Sequence, residues 1–391
     1  MVRRSVVVLL GALILALIAA CGGEDPTATP AGPTATSAPI TDRVAEFKAA
    51  SEAKGMRFLT HDEIVAGAQR EGKLIVVPGL DDTNFGNIKT AFEETYPYLE
   101  LEMQIVSGTA AGERFNFGML SGNTEVDVLE ASADDWELYA ENDLLIPFDY
   151  ESMALAGELA INPEAILHTQ AGQLPFFGSG IDVIAYNTDM ISEEDAPKNW
   201  DDCIDPKWKG LVATDTSTGL QDLNGAWTEE EILTYTKAMK DNDVIFVRGI
   251  TATLVRLLAG EFPIMCPTNY HGALRQLIAD PDAPMKLVLP DPLNINPREQ
   301  EGIYAGAKHP HAGLLWMEFI SRPDVQLDIL APNDPGKTSF MIEGTVPYNL
   351  LQDFDGEVHL CDAKCTQLGV PIAVKIVVDS WGFPHVGATP D

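Results

Sequence analysis

The sequence predicts an α/β protein built mainly on parallel strands, and three observations carry that expectation. Compact apolar runs of strand length, such as Lys73-Leu-Ile-Val-Val77, recur along the chain. Runs of this kind suit strands buried on both faces. They alternate with segments of helical period from about Thr60 to Ile320, the pattern of repeated strand-helix-strand units. No period of roughly 20–50 residues repeats, which excludes a solenoid.

Residues 1–21 read as an export leader. Arg3 and Arg4 precede an uninterrupted apolar run from Val6 to Ala20. At about 15 residues the run is shorter than the roughly 20 needed to span a membrane, and it fits the apolar region of a signal peptide. Ile18-Ala-Ala-Cys21 resembles the lipobox of bacterial lipoproteins. Residues 1–20 are therefore expected to be a lipoprotein signal peptide and Cys21 the lipidation site, several acyl chains together giving stable anchoring. An ordinary secretory signal with an incidental cysteine is the alternative. Residues 21–40 are rich in Pro, Thr, Ala and Gly and have no apolar period. They are expected to form a disordered linker, because such a segment buries too little surface to offset its ordering entropy.

The globular part begins near Thr41, where Val44, Phe47 and Ala50 are spaced as on a helix and Gly55 ends the segment. Thr60-His61-Asp62-Glu63 is a capping box that starts a helix running to about Arg70. Strand Lys73–Val77 follows, then helix Asn87–Thr95, strand Leu99–Val106, helix Gly112–Leu120, strand Val126–Leu129 and a helix from Trp136. Ligands sit off the carboxyl ends of such strands, here Gly79–Asn84, Ser107–Thr109 and Glu130–Ala133. A second series starts with Ile181–Ala185. It continues through a short helix at Trp200–Pro206, strand Gly210–Ala213, polar loop Thr214–Gly219, helix Glu229–Lys240, strand Val244–Val247 and helix Ala252–Gly260. Strand Pro263–Cys266, helix Tyr270–Ile278, strand Met285–Leu289 and helix Ala312–Ile320 complete it.

The chain has 25 Lys+Arg against 59 Asp+Glu, a formal net charge of −34. This argues against nucleic acid, whose binding rests on basic contacts to phosphate. It also disfavours adhesion of the folded surface to anionic lipid. Such a field concentrates cations and repels free anions, or it serves solubility in a saline medium that screens it within about 8 Å. Besides Cys21 there are four cysteines, and an exported chain sits where disulfides persist. The near neighbours Cys361 and Cys365 are expected to pair, leaving Cys203 with Cys266. A zinc site on His359, Cys361 and Cys365, or four free thiols, are the alternatives.

Several stretches together resemble a known family. They are Glu71-Gly-Lys-Leu-Ile-Val-Val77, Ala91-Phe-Glu-Glu-Thr-Tyr-Pro97, Glu125-Val-Asp-Val128, Gly180-Ile-Asp-Val-Ile-Ala-Tyr-Asn-Thr188, Ala196-Pro-Lys-Asn-Trp200, Asp205-Pro-Lys-Trp-Lys-Gly210 and Lys308-His-Pro-His-Ala312. In order and spacing they resemble the substrate-binding lipoproteins of bacterial ABC transporters, in the ferric-iron or family 1 extracellular solute-binding branch. The resemblance spans about Glu63 to Val346. It implies a two-lobe periplasmic-binding-protein-like fold of type II, with a hinge between lobes and two crossover strands. The first crossover is expected near Ser179–Ala185 and the second between Pro290 and Gly302. Lobe 1 would comprise residues 41–180 plus 291–335, and lobe 2 residues 181–290 plus 336–391 with a C-terminal extension.

The same resemblance implies capture of a solute, closure, and delivery to an ABC permease and ATPase complex. The chain would be a monomer, lipid-anchored on the outer face of the cell membrane, and not an enzyme. No cofactor is required; Fe³⁺ enters only as a transported ligand. In ferric-binding members two adjacent tyrosines supply phenolate oxygens, a donor set suited to a hard cation. Here Tyr270 matches and His271 replaces the second, so this pair is the metal-ligand candidate. Asp82, Asn84, Thr109 and Ser132 are the candidate ligand-binding residues of the first lobe, with Glu130 as a nearby carboxylate. Thr216, Ser217 and Thr218 precede an expected helix start and could receive an anionic group, or simply cap the helix. A lipid-anchored sensor or scaffold on the same fold is the alternative function. A secreted hydrolase is a weaker one, for the chain has neither a Gly-x-Ser-x-Gly elbow nor a His-Glu-x-x-His motif.

Overall fold

A computed structural model describes residues 40–80, 82–106, 109–216 and 219–383. The leader, the lipidation candidate Cys21 and nearly all of the linker lie outside the described residues, as do Ser217 and Thr218.

Local chemistry starts the elements where the residues demand it. α1 (Ile40–Ala53) lays Val44 and Phe47 on the first core. Before α2 (His61–Glu71), the Thr60 hydroxyl accepts from the Glu63 amide while the Glu63 carboxylate accepts from the Thr60 amide. Gly72, at φ 69°, ends that helix in the left-handed region that a Cβ disfavours. β1 (Lys73–Val77), α3 (Phe85–Thr95), β2 (Glu100–Met103), α4 (Thr109–Leu120), β3 (Val128–Glu130) and α5 (Trp136–Glu141) then alternate as expected. α6 (Tyr150–Ala156) and β4 (Ile166–Thr169) were not foreseen. β5 (Gly172–Asn187) is far longer than the expected strand at 181–185, because residues 172–175 pair with β4 and residues 176–181 with β10 (Leu293–Ile303).

The second series is β6 (Val212–Asp215), α7 (Glu229–Asp241), β7 (Ile245–Val247), α8 (Ile250–Leu258), β8 (Ile264–Asn269), α9 (Tyr270–Ala279) and β9 (Met285–Val288). β10 (Leu293–Ile303) and α10 (Pro310–Ile320) follow. The chain then forms α11 (Val346–Asp353), β11 (Val358–Leu360) and α12 (Ala363–Lys375), past the span of the family resemblance.

The sheet runs β2-β1-β3-β10-β5-β8-β6-β7. β2, β1 and β3 are parallel, and so are β8, β6 and β7. Between the two parallel sets, β10 and β5 pair antiparallel, Asn296 opposite Gly180 and Arg298 opposite Gly178. The sheet is therefore not parallel throughout: two antiparallel strands carry the chain from one set to the other. β9 adds to β5 antiparallel as well.

One core, with Leu74, Phe92, Trp316 and Phe319, packs the β1 side, and another, with Trp200, Tyr235, Ile264 and Trp381, packs the β8 side. A third, with Val77, Leu129, Val183 and Leu293, lies under the join. Two carboxylates fix the Lys308–Ala312 motif onto the first core. Asp127 accepts from the backbone amides of Lys308 and His309 and lies 2.8 Å from His309 Nδ1. Glu71 meets His311 Nδ1 and the Ala312 amide. Cys203 is bonded to Cys266 and Cys361 to Cys365. His359 and the sulfurs of Cys361 and Cys365 gather within 4.8 Å, but the sulfurs are joined to each other. The zinc alternative, which needs free thiolates, does not describe this state.

Candidate functional site

A cleft of about 460 Å³ opens where the two parallel sets meet β5 and β10. Ser132 and Glu130 bring the carboxyl end of β3 into it, Asp182 comes from β5, and Asn296 to Gln300 come from β10. This is where strand ends of opposed α/β units place ligands. Among the described residues, the lining holds five carboxylates, from Glu130, Asp134, Asp182, Asp222 and Glu299, against the cations Arg298 and Lys337.

Two carboxylate groups can be distinguished. In the first, Glu299 sits at φ 54° in mid-strand, a conformation rare for a residue with a Cβ. Its side chain is turned into the cleft beside Glu130. A Cβ on Gly79, just past β1, would strike both carboxyl groups, so glycine is what lets β1 end against them. The Lys337 ammonium lies 2.7 Å from Glu299 Oε1 and donates to the Gly79 carbonyl at 2.6 Å. Burial first, and Glu299 second, push the Glu130 carboxyl up to about 7. Burial works against the Lys337 charge, yet Glu299 and Glu130 hold its pKa above the ordinary value. Two residues further along the strand, the fully buried Glu301 accepts from Trp316 Nε1, and burial keeps its carboxyl well above the usual range.

In the second group, Asp182 accepts from Asn294 Nδ2 at 2.7 Å and Asp222 from Asn296 Nδ2 at 2.6 Å. Arg298 lies 3.5 Å from Asp222 and donates to Asn296. Burial, then Asp222, pushes Asp182 up to about 7. Burial raises Asp222 too, with Arg298 opposing. Gly178 and Gly180 on β5 make room for these side chains: a Cβ on Gly180 would meet Asn296 and Arg298, and one on Gly178 would meet Glu299. Glycine inside a strand pattern marks such a close approach.

Several candidates from the sequence fall elsewhere. Tyr270 is not in the cleft. As the first residue of α9 it packs with the join core and borders a separate depression with Leu289, Leu350 and Phe354. His271, one residue on and about 100° around the helix, does line the cleft. The two therefore do not form a ligand pair. Burial first, with Lys337, Arg275 and Arg298 adding, holds His271 well below the ordinary histidine pKa and keeps it neutral. Its Nδ1 is buried with no hydrogen-bond partner among the described residues. Asp82 is exposed in the turn before α3, and Asn84 is buried, accepting from Asn333. Neither lines the cleft, because the turn after β1 bends toward α3 and the segment around Asn333. Ser132 is in the lining. Thr109 opens α4. Thr216 does not line the cleft, and its amide is spent on the Val247 carbonyl. Gly219, at the end of that loop, packs on the Asp182 carboxylate. An anion held beside Gly219 would face the Asp182 carboxyl.

Asp182, Asp222, Arg298, Glu299 and Lys337 were missed. Their signals were the Gly178-Ser-Gly180 run before an aspartate and the Arg298-Glu-Gln-Glu301 run inside a central strand, where charges are rare unless paired.

This architecture is that of the α/β periplasmic-binding-protein-like class. Residues 82–254 match the family model described as bacterial extracellular solute-binding protein. A search of the curated proteins finds no match. Among solved structures, the chain is similar to iron-bound HitA from Pseudomonas aeruginosa, with a TM-score of 0.61 and 17% identity over 79% of this chain and 99% of that one. It is similar to the spermidine/putrescine transporter substrate-binding protein PotD from Streptococcus pneumoniae, with a TM-score of 0.55 and 17% identity over 79% and 99%. It is also similar to AfuA from Actinobacillus pleuropneumoniae, bound to fructose-6-phosphate, at 0.59 and 17% over 79% and 97%. At this identity the likeness shows the fold, and the cargoes of the three differ in kind.

Proposed function

We propose that this chain is the extracellular solute-binding receptor of an ABC importer and that its cargo is a cation. The observation that carries the charge of the cargo is the lining of the cleft: five carboxylates against two cations, with a histidine held neutral beside them. Burial first, and a neighbouring carboxylate second, push Glu130 and Asp182 up to about 7, and a bound cation would offset both by favouring the ionised forms. The family match over residues 82–254 and the likeness to transporter binding proteins support the receptor role. On this reading, residues 41–180 with 291–335 form one lobe and residues 181–290 with 336–391 the other. β5 and β10 cross between them as the hinge. Closure buries the cargo, and docking on a permease and ATPase delivers it, with no covalent chemistry. Ferric iron, bound by several proteins of similar fold, is the rival cargo. Carboxylate oxygens suit it, although the tyrosine that supports it elsewhere turns away here.

Thermal unfolding with added calcium, ferric citrate and 1,4-diaminobutane, against phosphate and glutarate, tests the proposal. A cation at about a hundred times its Kd adds about 2.7 kcal/mol to stability. The melting temperature should then rise by several degrees, and Asp222→Asn should remove the rise. Stabilisation by the anions alone would sink the cation reading. The same proposal keeps the receptor on the outer face of the membrane through acylated Cys21. Cys21→Ser should move the protein from the detergent phase to the soluble fraction, and retention in the detergent phase would refute the anchor.

A further inference from the structure

The cleft has a second face that the carboxylates do not explain. Thr366, Val370, Ala373 and Val377 line it. Their spacing of four, three and four places them on one side of α12 and of the turn that continues it. The helix is held at several points. Its first turn is closed by the Cys361–Cys365 bond and capped by Asp362, which accepts from the Cys365 amide. Gly369 allows close contact with the segment that carries Asp222: a Cβ there would sit 3.3 Å from the Gln221 carbonyl. Gln367 donates to Gln170, in the turn between β4 and β5. Lys375, the last residue of the helix, pairs with Glu229, and beyond it Ser380 meets Thr236 at 3.0 Å and Trp381 Nε1 donates to the Thr236 carbonyl, all on α7. The C-terminal segment is thus fastened on both sides of the cleft and supplies a wall of it.

That wall is apolar where the strand ends are acidic, and Ile181 and Ile250 add to it. The volume of about 460 Å³ falls within the roughly 300–1,000 Å³ of organic-ligand pockets and far exceeds a single bare metal ion. We infer that the cargo is an organic cation with a hydrocarbon portion, its ammonium group against Asp182 and Asp222 and its carbon body laid on Val370, Ala373 and Val377 of the C-terminal segment. This rests on the cation-receptor reading and narrows it to a substrate class. It also gives the segment after Tyr348 a role as a specificity wall.

Isothermal titration of the full chain with n-alkylammonium ions from methyl to hexyl, and with calcium as a compact cation, tests it. A chain that leaves water for this wall should tighten Kd about fourfold per added methylene. Val370→Thr and Val377→Thr, which keep the side-chain size and put a hydroxyl on the wall, should weaken hexylammonium severalfold, with the melting temperature of each variant showing that it is folded at the temperature of titration. They should leave methylammonium and calcium unaltered. A Kd independent of chain length, or a hexyl Kd untouched by both variants, would overturn the inference. If calcium binds in an Asp182-dependent way while no alkylammonium ion does, the cation receptor stands and the organic class falls. If neither binds, both fall.

Discussion

Glu130 and Asp182 are acids placed where they cannot comfortably ionise. Each is buried beside a second carboxylate, and each is pushed up to about 7. The sign of the consequence follows from linkage. A carboxyl that titrates higher in the folded chain than in the unfolded one favours folding at low pH, and that contribution is lost as pH rises from about 4.5 through 7. The ligand-free protein should therefore be more stable to urea at pH 6 than at pH 8. Glu130→Gln, neutral throughout, should flatten the difference and raise stability at pH 8. A cation works in the opposite sense, since it favours the ionised form and should bind more tightly at pH 8 than at pH 6. Urea titrations of the two proteins at the two pH values measure the first effect, and an unchanged slope in Glu130→Gln would show that Glu130 is not the titrating group. Little of this was legible in the sequence, where Asp182 and Glu299 are two acids among 59. Only burial and a second acid at close range make them unusual.

At the scale of the element, what could be read in advance was what short-range chemistry decides. The Thr60 capping box, the Gly72 stop and the apolar run of β1 all stand where residue order places them, because caps and strand runs are settled within a few residues. The boundaries that misled were those set by distant partners. β5 starts at Gly172 because β4 lies beside it, and no local pattern announces that pairing. α9 places Tyr270 and His271 on different sides, so adjacency in sequence became separation in space. The tail after Tyr348 had helical residues but no recognisable motif. Its importance comes from the element it leans on, the segment from Leu220 to Leu223 that carries Asp222.

Across the whole molecule, the antiparallel pair β5 and β10 is the sole direct strand pairing between the parallel sets along the described sheet path. A proposed hinge there predicts a measurable change of shape. Small-angle scattering should show a smaller radius of gyration on adding a saturating cation that stabilises the protein, and no change with phosphate. An unchanged radius at saturation would mean that capture occurs without closure. The join is well packed, through Val77, Val183 and Leu293, so the motion expected is rotation about two strands, not unfolding of a linker.

By itself the sequence determined the alternation of strand and helix and the family it resembles, and it set the expectation of an export leader. Each of these is written in short windows where hydrophobic period, capping and turn residues act locally. The tertiary structure alone decided which carboxylates share a cleft, that Tyr270 leaves it while His271 enters, and that the C-terminal segment forms one of its walls. The physical reason is that burial and charge-charge coupling depend on distances across the sheet, between residues as far apart in the chain as Glu130, Asp222 and Val370. No local pattern encodes those distances.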